Sequence, residues 1–326
     1  MHNLKVLLTT YSTAFITSGG GESELVQVSD ILNKSGVQSD IYGIDSKPLS
    51  FYHAVMHFSL HGNGEAILQE AKNQKKKIFL WPNVWWREDP SPQEIRRIEK
   101  IVQMADCLIF KSQTELSNFM QYKKIDKDIC RVVRPGVSDR LLLPVDSDLF
   151  LTMCDLSDYV ICLGLIEPVK NQLSLIRALN KLKINGLMVG GFRDEDYYHE
   201  CLKEAHVGIK FLPFLQPCSL LLRSAIANSL IVAEPSFDPP GRSSLEGALL
   251  KKPLVIADGA WQREHFKDGA WYASADSERS IADAIERALF DPNREAKVLS
   301  TYNQIYKRHS SEVASRALIE CLIENI

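Results

Sequence analysis

Short apolar runs recur along the chain and alternate with segments whose apolar residues follow helical spacing. The runs are four to seven residues long, rich in Val, Ile and Leu, and bounded by glycine, proline or charged residues. In the first half the pattern predicts strands over residues 4–10, 39–42, 54–58, 77–80 and 107–110, and helices over residues 25–36, 64–74, 92–105 and 113–120. In the second half it predicts strands over residues 159–163, 186–189, 208–212, 229–233 and 252–257, and helices over residues 171–182, 195–204, 219–227, 281–289 and 313–323, with another helix beginning at residue 245.

This alternation predicts an α/β protein whose parallel sheets are covered by helices on both faces. The periodicity breaks over residues 131–150, which include the turn Arg134-Pro135-Gly136-Val137. We therefore expect two doubly wound, Rossmann-like domains facing a cleft, one over residues 1–150 and one over residues 151–310. Residues 311–326 are expected to form a helix that packs back on the first domain.

Composition narrows the class of protein. A chain of 326 residues with 45% hydrophobic content suits two globular domains. The net charge of -3 does not predict binding to nucleic acid, which requires a basic surface. No apolar segment approaches the ~20 residues that a membrane span needs, and the chain enters a strand without a signal peptide. Seven cysteines, scattered singly, favour a reducing compartment without disulfides or a zinc site. These features predict a cytoplasmic protein.

The stretch from Glu234 to Glu246 carries the densest candidate chemistry. It joins a buried strand to a helix through a loop containing an acid, two prolines and a glycine. The backbone N–H groups from Gly241 to Ser244 are expected to point out of the helix N-terminus, where they favour an anion such as a diphosphate. The alternative is local: Ser243 and Glu246 have the spacing of a capping box, in which Glu246 only satisfies its own helix.

A glycine loop follows the first predicted strand. Gly20 and Gly21, within Ser18-Gly19-Gly20-Gly21-Glu22, would let the backbone pass close to a ligand. The spacing differs from the G-x-G-x-x-G of dinucleotide folds, and a flexible connection is an equal alternative.

Polar and aromatic residues follow two further strands of the first half. His57 and His61 lie at the end of one strand, and Trp81-Pro82-Asn83-Val84-Trp85-Trp86-Arg87 follows the next. Aromatic faces beside polar groups suit a sugar or another amphipathic acceptor, with Asn83 and Trp85 as candidate contacts, although large aromatics also serve as packing. No acid stands in metal-ligand spacing with the histidines, so a metal site is not expected.

Several motifs in the second half occur in one order. They are G-x-x-x-P-x-K-N from Gly164 to Asn171, a strand ending in V-G-G at Val189 to Gly191, P-S-x-D-x-x-G-x-x-x-x-E from Pro235 to Glu246, and K-K-P-L-V from Lys251 to Val255. This order resembles the GT-B family of retaining glycosyltransferases called group 1. The first half resembles the family less tightly, through its glycine loop, the strand from Ala105 to Ser112 and the turn from Val132 to Val137.

The resemblance implies a nucleotide-sugar donor held mainly by the second domain. Asp238 stands at the family's first glutamate, near the donor sugar, and Glu246 at the second, on the ribose hydroxyls. Lys170 would meet the diphosphate, and Gly20 and Gly21 would let the backbone approach it.

Other donor contacts follow from the same resemblance. Gly190 and Gly191 would line the nucleotide pocket, Phe214 would lie near the base, and the helix beginning at Ser243 would face the phosphates.

The chain departs from the family in three places. Leu165 replaces an arginine that pairs with the lysine on the phosphates, and Arg242 is the nearest substitute, the alternative being a solvated loop arginine. Asp238 is one methylene shorter than the family's glutamate. Trp81-Pro82-Asn83 stands where the family often has a histidine near the donor sugar.

The resemblance thus implies a retaining, metal-independent glycosyltransferase of polysaccharide biosynthesis that uses a nucleotide sugar and no cofactor. The acceptor would be a glycan, a lipid-linked sugar or a small molecule, and peripheral association with a membrane is a further expectation. Leu165 supports a second hypothesis, a glycosyltransferase-like subunit that binds sugar or a partner protein without turnover.

Overall fold

The computed structural model describes residues 4–16, 19–60, 62, 64–146, 148–239 and 241–326. The described chain forms two compact units. The first contains the chain up to Gly136 together with Ser311–Ile326, and the second spans Val137–Ser310.

The first unit is built on one six-stranded parallel sheet. Its strands are β1 (Lys5–Thr9), β2 (Gln38–Ile41), β3 (Ala54–Phe58), β4 (Lys77–Trp81), β5 (Cys107–Phe110) and β6 (Cys130–Val132), in the order β2-β1-β3-β4-β5-β6. Its first helices are α1 (Gly20–Lys34), α2 (Glu65–Asn73), α3 (Pro92–Val102) and α4 (Gln113–Tyr122). Every residue of β3 and β5 is buried, as expected for strands covered on both faces.

The second unit has a second six-stranded parallel sheet. Its strands are β7 (Tyr159–Leu163), β8 (Asn185–Val189), β9 (Ile209–Leu212), β10 (Ile231–Glu234), β11 (Leu254–Ala257) and β12 (Trp271–Ala273), in the order β12-β11-β10-β7-β8-β9. Its helices are α5 (Asp148–Met153), α6 (Gln172–Leu182), α7 (Glu195–Glu204), α8 (Leu220–Asn228), α9 (Ser243–Leu249), α10 (Ala260–Phe266), α11 (Glu278–Phe290) and α12 (Arg294–His309).

The predicted α/β class, with two parallel sheets and helices between successive strands, is confirmed. Local chemistry is also as predicted at α3, where the Ser91 hydroxyl accepts from the Glu94 N–H at 3.1 Å and Pro92 is the first helical residue. None of the helices in the described part of the chain is long and apolar enough to cross a membrane.

Five elements lie where the apolar pattern predicts none: β6, β12, α5, α10 and α12. The two strands have three residues each and lie at sheet edges, so they bury too little to leave a pattern. Helix α12 buries only Thr301, Ile305 and His309, so it has no continuous apolar face.

The two compact units divide after Gly136, inside the segment of residues 131–150 where the periodicity breaks. The aperiodic segment packs on the second unit. The Phe150 ring is fully buried 5.4 Å from the Tyr159 ring, and the Phe150 N–H donates to the Ser224 hydroxyl at 2.9 Å. The segment lacks periodicity because its contacts are made by single side chains.

The last helix, α13 (Ser311–Asn325), belongs to the first unit. Its Leu318 and Leu322 side chains join the core cluster beneath the first sheet. The Sγ atoms of Cys321 and Cys107 are 3.8 Å apart, and the neighbouring thiol together with burial raises the pKa of Cys107. The final helix therefore completes the core of the first unit.

In the second unit, two adjacent glycines after β8 test how closely the loops after β7 and β8 approach each other. A Cβ on Gly190 would lie 2.0 Å from the Gly164 carbonyl oxygen, whereas a Cβ on Gly191 would lie 3.9 Å from the Leu165 Cδ2. Gly190→Ala must displace backbone and should lower the free energy of unfolding by about 3 kcal/mol, the upper end for overpacking. Gly191→Ala should change it by less than about 0.5 kcal/mol.

Urea denaturation of both variants measures this difference. Equal stability of the two variants would contradict the close approach of the chain segments at Gly190 and Gly164.

Candidate functional site

The second sheet has its topological switch point beside β7. From β7 the chain builds β8 and β9 to one side, and then β10, β11 and β12 to the other. The loops that follow β7 and β10 therefore leave neighbouring strand ends in opposite directions, which is where open parallel sheets bind ligands. Lys170 lies in the first of these loops, and Asp238 lies in the second.

Lys170 ends a single turn of 3₁₀ helix, Pro168–Lys170, directly before α6. Its side chain is half-buried. Among the residues that the structure describes, none forms an ion pair with its ammonium group. A cation placed at a strand end without a protein counter-ion is available to an anionic ligand.

Asn171 holds the two loops together. Its backbone is left-handed, with φ 61° and ψ 31°, a conformation that asparagine tolerates better than most residues. Its side-chain amide donates to the Pro235 carbonyl at 3.0 Å and to the Ala275 carbonyl at 2.8 Å. Loops that follow three different strands thus meet on one buried side chain.

Further hydrogen bonds tie the same loops through Val169. Its carbonyl accepts from the Phe237 N–H at 2.9 Å and from the Ser236 hydroxyl at 3.2 Å. The Ser236 hydroxyl also accepts from the Asp238 N–H at 3.2 Å. These bonds hold Asp238 next to the turn that carries Lys170.

The capping box proposed for Ser243 and Glu246 is not formed. Helix α9 begins at Ser243, and Arg242 is its N-cap residue, without a side-chain cap. The Ser243 hydroxyl donates instead to Glu234 at 2.7 Å. Glu246 therefore does not cap its own helix.

Glu234, at the end of β10, occupies the N-terminal end of α9. Its side chain is 4% exposed and accepts from the hydroxyls of Ser243 and Ser244 and from the Gly241 N–H at 3.3 Å. The Gly241 N–H, one of the groups that the sequence assigns to a diphosphate, thus already donates to an internal carboxylate. Sequence reasoning missed Glu234 because its partners lie seven to ten residues away across a loop.

Glu246 lies in the first turn of α9 and is 6% exposed. Burial raises the pKa of its carboxyl, the nearby charge of Glu234 raises it further, and Arg242 opposes both effects. Within the described part of the chain, no hydrogen bond satisfies this carboxylate. A buried acceptor without a protein donor suits ligand hydroxyls.

The remaining donor candidates are spread over the second unit. Arg242 is half-buried and close enough to Glu246 to lower the pKa of that carboxyl. Phe214 follows β9 and is 49% exposed. Gly190 and Gly191 follow β8, where the close approach of Gly164 gives Gly190 a packing reason to be glycine.

In the first unit, Gly20 and Gly21 are the first two residues of α1 and not part of a loop. The Glu22 side chain accepts from the Gly19 N–H at 2.8 Å and from the Tyr11 hydroxyl. A Cβ on Gly20 would meet nothing within 4 Å, and one on Gly21 only the Asn83 side chain at 3.9 Å. Packing within the unit therefore does not explain these two glycines.

His57 is a buried structural residue in this structure. It is 1% exposed, its Nδ1 lies 2.8 Å from the Thr9 hydroxyl, and a Cβ on Gly64 would lie 2.3 Å from its Nε2. This burial removes it from the surface on which an acceptor contact was predicted. His61 lies outside the described residues.

Two of the three tryptophans at the end of β4 are packing residues. Trp81 stacks on Phe58 at 5.2 Å, and Trp86 stacks on Phe119 at 5.2 Å. Trp85 is half-buried and stays a candidate acceptor contact. Asn83 has a left-handed backbone, with φ 50°, and a buried side-chain oxygen without a partner among the described residues.

No group of three or more His, Cys, Asp or Glu side chains that could hold a metal ion occurs in the described ranges. That the protein needs no metal ion stays a prediction.

Comparison with solved structures finds glycosyltransferases of the same architecture. HepE from Anabaena, in complex with UDP and glucose, superposes with a TM-score of 0.81 at 17% identity, covering 98% of this chain and 100% of HepE. Sucrose-phosphate synthase from Thermosynechococcus elongatus gives 0.81 at 13% identity and 98% of both chains. The chain has the GT-B fold.

A glycosyltransferase from Rickettsia africae ESF-5 is also similar, with a TM-score of 0.76 at 15% identity over 99% of both chains. No family model and no curated protein sequence matches the chain. The GT-B resemblance inferred from the motifs is therefore confirmed at the level of the fold.

The buried His57 generates a prediction on pH. Burial lowers the pKa of His57 to about 4, against about 6.5 in an unfolded chain. Between these values the unfolded state binds a proton that the folded state does not, so stability falls as the pH falls. This group should remove about 3 kcal/mol of the unfolding free energy between pH 7 and pH 4.

His57→Asn keeps a partner for Thr9 and removes the titrating ring. Chemical denaturation from pH 7 to pH 4 should give a flatter profile for this variant than for the wild type. Parallel profiles would show that His57 takes up its proton at the same pH in the folded protein as in the unfolded chain.

Proposed function

We propose that the chain is a glycosyltransferase that moves a sugar from a nucleoside-diphosphate sugar to a glycan, lipid-linked or small-molecule acceptor. We further propose that it retains the configuration of the anomeric carbon and needs no metal ion. We propose that the donor binds at the carboxyl ends of the strands in the second sheet. The acceptor is proposed to bind to the first unit.

One observation carries this proposal: the hydrogen-bonded junction of the loops after β7 and β10. Asn171 and Val169 bring the turn of Lys170 beside the loop of Asp238 at the switch point. Glu246 begins the helix that follows this loop, with a buried carboxylate. A cation, a loop acid and a second acid for hydroxyl groups thus lie on adjoining segments, as a nucleotide sugar requires.

The solved neighbours support the donor class. HepE was solved with UDP and glucose, and separately with UDP-glucose, on the same fold. By analogy, Lys170 would contact the diphosphate of this protein's donor, Glu246 the ribose and Asp238 the sugar. Phe214 would lie by the base.

The chemistry requires stabilisation of a leaving nucleoside diphosphate, which gains negative charge as the glycosidic bond breaks. A fixed cation in a site that excludes water can supply this stabilisation. Because the Glu234 carboxylate already occupies the N-terminal end of α9, we assign this task to the side chains of Lys170 and Arg242. The helix end itself then contributes little to phosphate binding.

Leu165 stands where the related glycosyltransferases have an arginine that contacts the phosphates. Its presence favours a second candidate function, a glycosyltransferase-like subunit that binds a nucleotide sugar without turnover. A screen of UDP-, GDP- and TDP-sugars for slow hydrolysis separates the two, because water can replace the unknown acceptor. Release of a nucleoside diphosphate, with and without EDTA, would support a metal-independent enzyme. Binding without release from any donor would support the non-catalytic subunit.

Nucleotide binding gives the first prediction on function. Saturation with the preferred nucleoside diphosphate, at ~100 times Kd, should stabilise the fold by ~2.7 kcal/mol. Glu246→Gln should weaken binding about 10-fold or more, because a charge-assisted acceptor for the ribose hydroxyls is lost. Glu295→Gln, on the exposed side of α12, is the matched control and should bind like the wild type.

Isothermal titration with UDP, GDP and TDP measures both effects. Absence of binding by all three would refute the donor site, and wild-type affinity in Glu246→Gln would remove Glu246 from it.

Arg242 gives the second prediction on function. If it replaces the arginine missing at Leu165, Arg242→Ala should lower turnover on the order of 10²-fold, the loss expected for one preorganised donor. Lys170→Ala should lower turnover at least as much. Leu165→Arg should then partly restore the activity of Arg242→Ala.

Arg279→Ala is the control, since its side chain is 83% exposed on α11. Near-normal turnover in Arg242→Ala would contradict the proposal that Arg242 replaces the arginine missing at position 165. Unchanged turnover in Lys170→Ala as well would favour the non-catalytic subunit.

A further inference from the structure

A buried carboxylate organises the N-terminal end of α9 without belonging to the donor contacts proposed above. Glu234 accepts from the Ser243 hydroxyl at 2.7 Å, from the Ser244 hydroxyl at 2.5 Å and from the Gly241 N–H at 3.3 Å. Ser244 is itself fully buried. Three donors from one short segment therefore converge on one side chain from β10.

This arrangement places an internal anion where the helix end favours negative charge. Backbone N–H groups at a helix N-terminus attract carboxylates, and a carboxylate with several donors is stable when buried. Helix α9 has no side-chain cap of its own, so Glu234 supplies the negative charge at this end. A ligand phosphate would have to compete with it there.

The same carboxylate closes the loop that carries Asp238. At its start, this loop is tied to the turn of Lys170 by the Phe237 N–H and the Ser236 hydroxyl, which both donate to Val169. At its end, the loop is tied to Glu234 through Gly241. Removal of Glu234 would release the second anchor and leave the first intact.

Resting on the proposed function, we propose that Glu234 is a positioning residue that fixes the loop of Asp238 and Arg242, and the start of α9, for donor binding. It takes the place of an anion at the helix end, so that the diphosphate is directed to Lys170 and Arg242. Glu234 itself touches no ligand in this assignment.

A second effect follows from charge. The charged groups that act on the Glu246 carboxyl are Arg242 at the start of its helix and Glu234 from β10. Burial raises the pKa of Cys218 before α8, and the charge of Glu246 raises it further. Because Glu234 raises the pKa of Glu246, its neutralisation should lower that pKa. Nucleotide binding through an ionised Glu246 would then persist to lower pH.

The positioning role is tested first without nucleotide, by hydrogen exchange of the backbone amides of Gly241, Ser243 and Ser244. Glu234→Ala should accelerate exchange at the Gly241 amide about 10-fold or more, the equivalent of its one lost hydrogen bond. The amides of Ser243 and Ser244 should also exchange faster, because the start of α9 loses the acceptor of both serine hydroxyls. Glu234→Gln keeps an acceptor oxygen and should restore most of the protection. Ile231→Val, in the same strand, weakens the core without this selective change.

The link to the donor is tested by titration with UDP, or with GDP or TDP if the wild type prefers one of these. Glu234→Ala should weaken binding about 10-fold, and Glu234→Gln should bind within about 3-fold of the wild type. In Glu234→Gln, the pH at which binding is half lost should move down. In Glu246→Gln, this pH dependence should disappear.

Unchanged exchange in a folded Glu234→Ala would overturn the proposal, as would accelerated exchange with unchanged nucleotide affinity. If Glu234→Ala does not fold, Ser244→Ala removes one of the donors, and unchanged exchange in that variant overturns the proposal equally. If the wild type binds none of the nucleotides, the proposed function fails. The exchange data then decide the role of Glu234 alone.

Discussion

The side-chain amide of Asn171 is the interaction on which the strand ends of the second unit depend. Loops that leave a parallel sheet carry backbone carbonyls into a buried region, where each needs a donor. Asn171 supplies two such donors, to Pro235 and Ala275, and it can do so because its backbone is left-handed. Without it, the loops after β7 and β10 would still be joined through Val169, but the loop after β12 would lose the hydrogen bond of Ala275 to this junction.

Two buried glutamates near the start of α9 differ in whether the protein satisfies their carboxylates. Glu234 and Glu246 are both buried, and each lies within range of the other's charge. Glu234 has three donors, so its charge is satisfied within the protein. Glu246 has none among the described residues, and burial raises the pKa of its carboxyl. The satisfied carboxylate maintains structure, and the unsatisfied one is available to a ligand.

Much of the architecture could be predicted from the sequence, because buried parallel strands and amphipathic helices leave strong local patterns. The cap at Ser91 is such a local feature, formed within three residues. The proposed cap at Ser243 failed because a partner from another strand, Glu234, competes for the same hydroxyl. Short edge strands such as β6 and β12 bury too few residues to show a period.

The candidate site was predictable only in part, for the same physical reason. The order of the motifs places Lys170 and Asp238 after strands and Glu246 in the next helix, but hydrogen bonds between loops decide which groups stay unsatisfied. The positions of the histidines and tryptophans in the sequence also could not show which of these side chains are buried in the core and which are exposed. His57, for example, is buried against Thr9.

Two lysines that follow strands, Lys111 and Lys170, differ in the charges around them. Lys111 follows β5 and lies 3.8 Å from Glu24 and 4.0 Å from Glu115, so two carboxylates of its own unit surround its charge. Burial alone lowers the pKa of Lys111, but these two neighbours outweigh it and raise the pKa. Its ammonium group is therefore engaged in structure.

Lys170 occupies the corresponding kind of position, after the central strand of the second sheet, without a carboxylate partner in the described chain. A half-buried cation is costly to leave uncompensated, and a protein that keeps one beside a hydrogen-bonded loop junction stabilises whatever anion enters. Lys111 shows that the chain can pair such a lysine internally. In the proposed reaction, the missing counter-charge of Lys170 is therefore the diphosphate of the donor.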